Sequence, residues 1–113
     1  MHEVGLMAQA VEIALERAEQ NGGARVHRLT MRIGPLAGVE IDALRFAFEV
    51  VTQDTAADGA ELHIEEVAVR CWCAPCEREF QPGDYVFRCP SCQQLSADVR
   101  QGHELDLISM EIA

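Results

Sequence analysis

Two short steps, Cys73-Ala74-Pro75-Cys76 and Cys89-Pro90-Ser91-Cys92, carry the clearest chemistry in this 113-residue chain. Each Cys-x2-Cys step turns tightly enough to bring two thiolates to tetrahedral spacing. The residues from Glu77 to Arg88 are long enough for one hairpin that brings the pairs together. A closed shell of four thiolates suits structural zinc and leaves no ligand position open for catalysis; an iron centre of the rubredoxin type accepts the same tetrahedron. The fifth cysteine, in Cys71-Trp72-Cys73, would lie on the same strand face as Cys73, and strand packing is its ordinary role beside the less expected one of substitute ligand. Trp72, Phe80, Tyr85 and Phe87 supply a small apolar support, too small to order the segment without metal.

The second chemical feature is Met1-His2-Glu3. A bulky second residue hinders removal of Met1, so the chain is expected to present a terminal amine, the His2 amide nitrogen and His2 Nδ1 together. These three nitrogens close a five-membered and a six-membered chelate ring, a planar nitrogen-rich set that suits Ni(II) or Cu(II). Glu3, Glu40, His103 or a donor from a partner could fill the fourth position. Binding through a deprotonated amide makes the metal releasable, because acid or a competing donor returns the proton to that nitrogen. A lone histidine at an exposed helix start is otherwise unremarkable, and His27 and His63 read as surface histidines among polar neighbours.

The net charge of −10 repels phosphate backbones and anionic lipid, which argues against nucleic acid and membrane surfaces as partners. A hydrophobic content of 49% suffices for one core. Neither a membrane-length apolar run nor a basic, then apolar, leader is present at Met1-His2-Glu3-Val4, so the chain reads as cytoplasmic, where paired cysteines favour metal over disulfides. A thiol oxidoreductase would need one Cys-x2-Cys step free of metal. With no nucleophile triad, phosphate loop or paired carboxylates, the chain reads as a non-enzyme; Glu61, Glu65 and Glu66 read as a solvated strand edge. A zinc-ribbon adaptor without nickel cargo is the alternative function.

The elements that must position these groups follow from periodicity. Val4, Met7, Val11, Ala14, Leu15 and Ala18 give a helix from Glu3 to about Gln20, stopped by Asn21-Gly22-Gly23. Leu29, Met31 and Ile33 alternate with Arg28, Thr30 and Arg32 as a strand, ended by the Gly34 to Gly38 segment. Ile41, Leu44, Ala47, Phe48 and Val51 give a second helix from about Glu40 to Gln53, and Asp54 to Gly59 a turn. Leu62 and Ile64 begin a strand expected to continue through Val67 and Val69 after a change of phase at Glu65-Glu66, and Glu104 to Ile112 a closing strand. The result is an α+β fold: a sheet of about three strands with two helices, formed by 1–70 and 97–113 and carrying nickel, plus an inserted zinc-ribbon-like subdomain over 71–96.

The Met-His-Glu start opening a helix, the strand end at Ile33-Gly34, and the late Cys-x2-Cys pair closed by Cys-Pro-x-Cys resemble the hydrogenase nickel-incorporation proteins, the HypA/HybF family, over essentially the whole chain. That resemblance implies a nickel metallochaperone for maturation of [NiFe]-hydrogenase, in some relatives also for urease. His2 would hold nickel and Cys73, Cys76, Cys89 and Cys92 zinc. It also implies a hydrogenase-maturation GTPase and the hydrogenase large-subunit precursor as partners, and is compatible with a homodimer. One departure stands out: zinc-ribbon steps, including those of some relatives, often place Gly after the second cysteine, where this chain has Glu77 and Gln93, so left-handed turns there would be mildly strained.

Overall fold

The computed structural model describes residues 2–83 and 86–113; Met1, expected as a nickel donor, and Tyr85, expected beside the zinc site, lie outside the described residues. The order is α1 (His2–Gln20), β1 (Val26–Ile33), a 3-10 turn (Pro35–Ala37), α2 (Ile41–Thr52), β2 (Glu61–Glu66), β3 (Arg70–Cys73), β4 (Arg78–Phe80), β5 (Val99–Gln101) and β6 (Leu105–Ile112). The chain divides into two compact units, one of Met1–Arg32, Gly38–Glu65 and Asp106–Ala113, the other of Ile33–Ala37 and Glu66–Leu105. The α+β class with two helices, a three-stranded sheet and a four-cysteine insert is as expected.

In the first unit α1 and α2 pack on each other, and the sheet has the order β2-β1-β6. Along α1 the buried positions are Met7, Ala10, Val11, Ala14 and Ala18, so three alanines at four-residue intervals form a smooth ridge that admits close approach of its neighbours. From α2 come Leu44, Ala47 and Phe48, and from β1 Val26, Leu29, Met31 and Ile33. Met7, Leu29 and Leu44 are fully buried, and burial on this scale contributes roughly 1.5–3 kcal/mol per large side chain. Buried Thr52 satisfies its hydroxyl by donating to the Phe48 carbonyl at 2.7 Å. The end of α1 follows its sequence: Asn21 Nδ2 donates to the Arg17 carbonyl, and Gly22 and Gly23 take positive φ.

The outer face of that sheet is charged. Arg28 on β1 reaches Glu61 on β2 at 3.0 Å and Glu111 on β6 at 3.1 Å, while Arg32 pairs with Glu65. Arg28, Glu61 and Glu111 are exposed and Arg32 and Glu65 half-buried, so these pairs contribute little stability individually. Glu61 and Glu65 thus stand on the edge strand β2, whose Leu62 carbonyl accepts from Arg45 of α2.

The second unit is built on an antiparallel sheet in the order β4-β3-β5, which the cysteine segment did not announce. Cys71 faces Phe80, Trp72 faces Glu79 and Cys73 faces Arg78, with a shift of register between Arg70 and Cys71 against β5. The expected continuation of β2 through Val67 and Val69 does not occur. The strand ends at Glu66, and Val67 donates instead to the Ile33 carbonyl. The change of phase at Glu65-Glu66 therefore marks where the chain leaves one unit for the other. Backbone packs closely here: a Cβ on Gly34 would lie 2.1 Å from the Gly102 carbonyl oxygen, which also accepts from Leu36, so only glycine fits.

Candidate metal centre

The core of the second unit is mostly sulfur. Cys71, Cys73, Phe80 and Cys89 are buried, with Val69, Cys76, Phe87, Cys92 and Val99 packed against them. Three- and four-residue strands bury too little apolar surface to offset their ordering, so an additional cross-link is required.

Cys73 ends β3, and the turn through Ala74-Pro75-Cys76-Glu77 leads into β4. The Glu77 amide donates to the Ala74 carbonyl and Glu77 takes φ 53°. In the second turn the bond reaches one residue further back, the Gln93 amide donating to the Cys89 carbonyl, and Gln93 takes φ 67°. Both positions expected to be left-handed are so.

The two turns bring the four thiols together. Sγ atoms of Cys73, Cys76, Cys89 and Cys92 all lie within 4.8 Å of one another. Cys73 and Cys92 are 3.5 Å apart, Cys89 and Cys76 3.9 Å. A tetrahedron with metal–sulfur bonds of about 2.3 Å has edges of about 3.8 Å, whereas a disulfide needs about 2.0 Å. The donor set therefore fits a tetrahedral thiophilic ion. Cys71 shares the buried face of β3 with Cys73 but stands outside the group of four, and burial pushes its thiol up.

Charge is distributed unevenly over the cluster. The backbone N–H of Cys92 chiefly, aided by that of Ser91, lowers the Cys89 thiol to about 6 against the cost of burial. Hydrogen bonds with the Cys73 and Cys92 thiols hold Cys76 protonated, pushed up to about 12. One thiolate is thus prepared by the backbone, and further ionisation needs a cation among the sulfurs. Side chains that sequence reasoning passed over surround the turns: Arg78 donates to Ser91 Oγ, and Arg88 donates to the Gln93 carbonyl at 2.9 Å. Their signal was an arginine two residues after Cys76 and another directly before Cys89. Arg100 stacks 4.8 Å above Trp72 while held by Asp98.

At the other candidate site, His2 is the exposed first residue of α1. Glu3 is already engaged: the Glu40 amide at the start of α2 donates to its Oε2 at 3.3 Å. The carboxyl is held below the ordinary glutamate range by its own backbone N–H first and that of Glu40 second. Glu40 has no side-chain cap of its own, so Glu3 serves as one for α2. His103 belongs to the second unit. Among the described residues, the four cysteines form the one convergent group of metal-binding side chains.

A family model described as "Hydrogenase/urease nickel incorporation, metallochaperone, hypA" matches residues 1–112. The chain belongs to this family. It is 46% identical over 112 residues to hydrogenase maturation factor HypA of a Picosynechococcus species, covering 99% of both chains, and 38% identical over 111 residues to hydrogenase maturation factor HybF of Klebsiella pneumoniae, covering 98% of both. Two solution structures share the HypA fold. One, of a HypA protein, aligns with a TM-score of 0.74 at 24% identity, over 100% of this chain and 97% of that one. The other, of the nickel metallochaperone HypA from Helicobacter pylori, aligns with a TM-score of 0.63 at 22% identity, over 97% and 96%.

Proposed function

We propose that this protein is a nickel metallochaperone that binds Ni(II) at its amino terminus and delivers it during maturation of [NiFe]-hydrogenase, with urease as a second class of client. The observation that carries this reading is the match of residues 1–112 to the nickel-incorporation family. The Met1 amine, the His2 amide nitrogen and His2 Nδ1 form the chelate in the unit that contains α1. Zn(II) sits in the 71–96 subdomain on Cys73, Cys76, Cys89 and Cys92, where it supplies cross-linking rather than chemistry.

Each group has a defined task. Nickel displaces the His2 amide proton on entry, so a proton leaves when the chelate closes and returns when an acceptor takes the metal. Glu3 contributes through position: its carboxylate is occupied at Glu40, which supports a role in holding His2 beside α2 rather than a carboxylate bond to nickel. The protein acts by binding and transfer, not catalysis, in the cytoplasm, with the hydrogenase-maturation GTPase and large-subunit precursor as partners.

Metal content and absorption of the untagged protein after one equivalent of Ni(II) test this. The expected result is one zinc retained and one nickel in a planar nitrogen set. Unaltered nickel uptake by the His2→Ala variant would overturn the site.

A further inference from the structure

Phe46 and Val50 lie one turn apart on α2, on the side away from the core, and are 67% and 47% exposed. Isolated exposed apolar side chains are ordinary, but two that adjoin on one helix form a continuous strip. Acids flank it: Asp42, one turn before Phe46, and Glu49, next to Val50, are both exposed, and among the described residues neither forms an ion pair. Arg45, the one basic residue of α2, is turned to the sheet, where it donates to the Leu62 carbonyl. At the end of the strip Glu49 and Gln53 also line a cavity of about 350 Å³, together with Asp58 and Gly59. The last turn of α2 carries no basic residue, so the negative end of the helix reinforces the carboxylates there. Arg25, which donates to the Asp58 carbonyl at 2.9 Å, is not part of the lining.

We propose that this face of α2 docks a polypeptide segment of a partner protein, one that presents an apolar side chain to Phe46 and Val50 and an arginine or lysine to Glu49 and the adjoining cavity. The proposal goes beyond the nickel reading and does not depend on where nickel binds. Charge selects the occupant. A second copy of this chain would bring two acid-flanked strips together under a net charge of −10 on each molecule, and like charges across an interface cost affinity. An anionic lipid surface is repelled by the same charges. A basic segment with an apolar side chain answers both features: burial of Phe46 supplies affinity, and the carboxylates supply orientation and speed of encounter. Phe46 is free for this task because Leu44, Ala47 and Phe48 already hold α2 to the core.

The test uses the untagged, zinc-loaded full chain and a fluorescent synthetic helix with leucines along one face and arginines beside them; a second probe carries glutamates in place of the arginines. Anisotropy gives the affinity and amide chemical shifts give the place. The basic probe is expected to bind with shifts along α2 and the 58–60 turn, to weaken as salt rises, and to bind about tenfold less tightly to Phe46→Ala. Glu49→Arg should lower the ratio of basic-probe to acidic-probe affinity about tenfold. Asp106→Arg, the same charge change on the far edge strand β6, should leave that ratio unchanged. All three substituted residues are exposed, so circular dichroism should match that of the native protein. Failure of the basic probe to bind, equal binding by Phe46→Ala, a ratio unmoved by Glu49→Arg, or shifts confined to other elements would overturn the docking surface. So would concentration-dependent shifts along α2 without any probe, which would assign the strip to a second copy, or Phe46-dependent binding to phosphatidylglycerol vesicles, which would assign it to lipid.

Discussion

At the residue scale, the left-handed positions after each cysteine pair are occupied by side chains that do not favour them. Glu77 at φ 53° and Gln93 at φ 67° sit where glycine is at ease. Glu77→Gly and Gln93→Gly each remove a left-handed penalty of about 1–2 kcal/mol, partly offset by glycine's greater chain entropy, and are expected to raise the urea midpoint of the metal-loaded protein at fixed zinc. Unchanged or lowered midpoints would show that both side chains hold the turns in some other way. Glu3 gives a pH signature. Its carboxyl is held low in the fold by its own and the Glu40 N–H, so the stability it contributes is present above the unfolded value of about 4.3 and fades as pH falls through the folded one. The Glu40 amide shift should therefore titrate with a midpoint below about 4.3 and stop responding in Glu3→Gln; a midpoint above it would mean that the bond is absent in solution. The four cysteines and both strained turns were legible, because ligand spacing is local. The Glu3 contact was not, because it joins residues 37 apart in sequence.

Among the elements, both helices and the strands β1 and β6 were legible because their apolar periods run over eight residues or more. The strands β3, β4 and β5 were not, being three or four residues long with cysteines in the apolar positions. The two sheets also differ in what holds them. Leu44, fully buried on α2, should cost about 2–5 kcal/mol when changed to alanine, whereas Phe46, 67% exposed on the same helix, should change stability by no more than about 0.5 kcal/mol. Comparable losses at both positions would mean that α2 is covered on its outer face. In the second unit the cluster of sulfurs takes the place of such a core. Cys89→Ala should accordingly lose zinc and amide protection along β3 and β4 while most of the helical circular dichroism remains. Stoichiometric zinc in that variant would contradict the four-cysteine site.

For the whole molecule, composition carries one further consequence: all nine basic residues are arginines, so the chain has no lysine. Its α-amine is then the only primary amine, and acylation there removes one proposed donor without touching the fold. The net charge of −10 concentrates cations around the molecule but selects none of them, so selectivity has to come from a chelate of defined geometry. The measurement that tests this most directly is a Ni(II) titration of the untagged, zinc-loaded protein before and after acetylation of that amine, followed by absorption and total metal. The account predicts one planar, nitrogen-bound nickel before acetylation and loss of that nickel after it, with zinc and circular dichroism unchanged. One nickel bound equally tightly, with the same spectrum, after acetylation would contradict it.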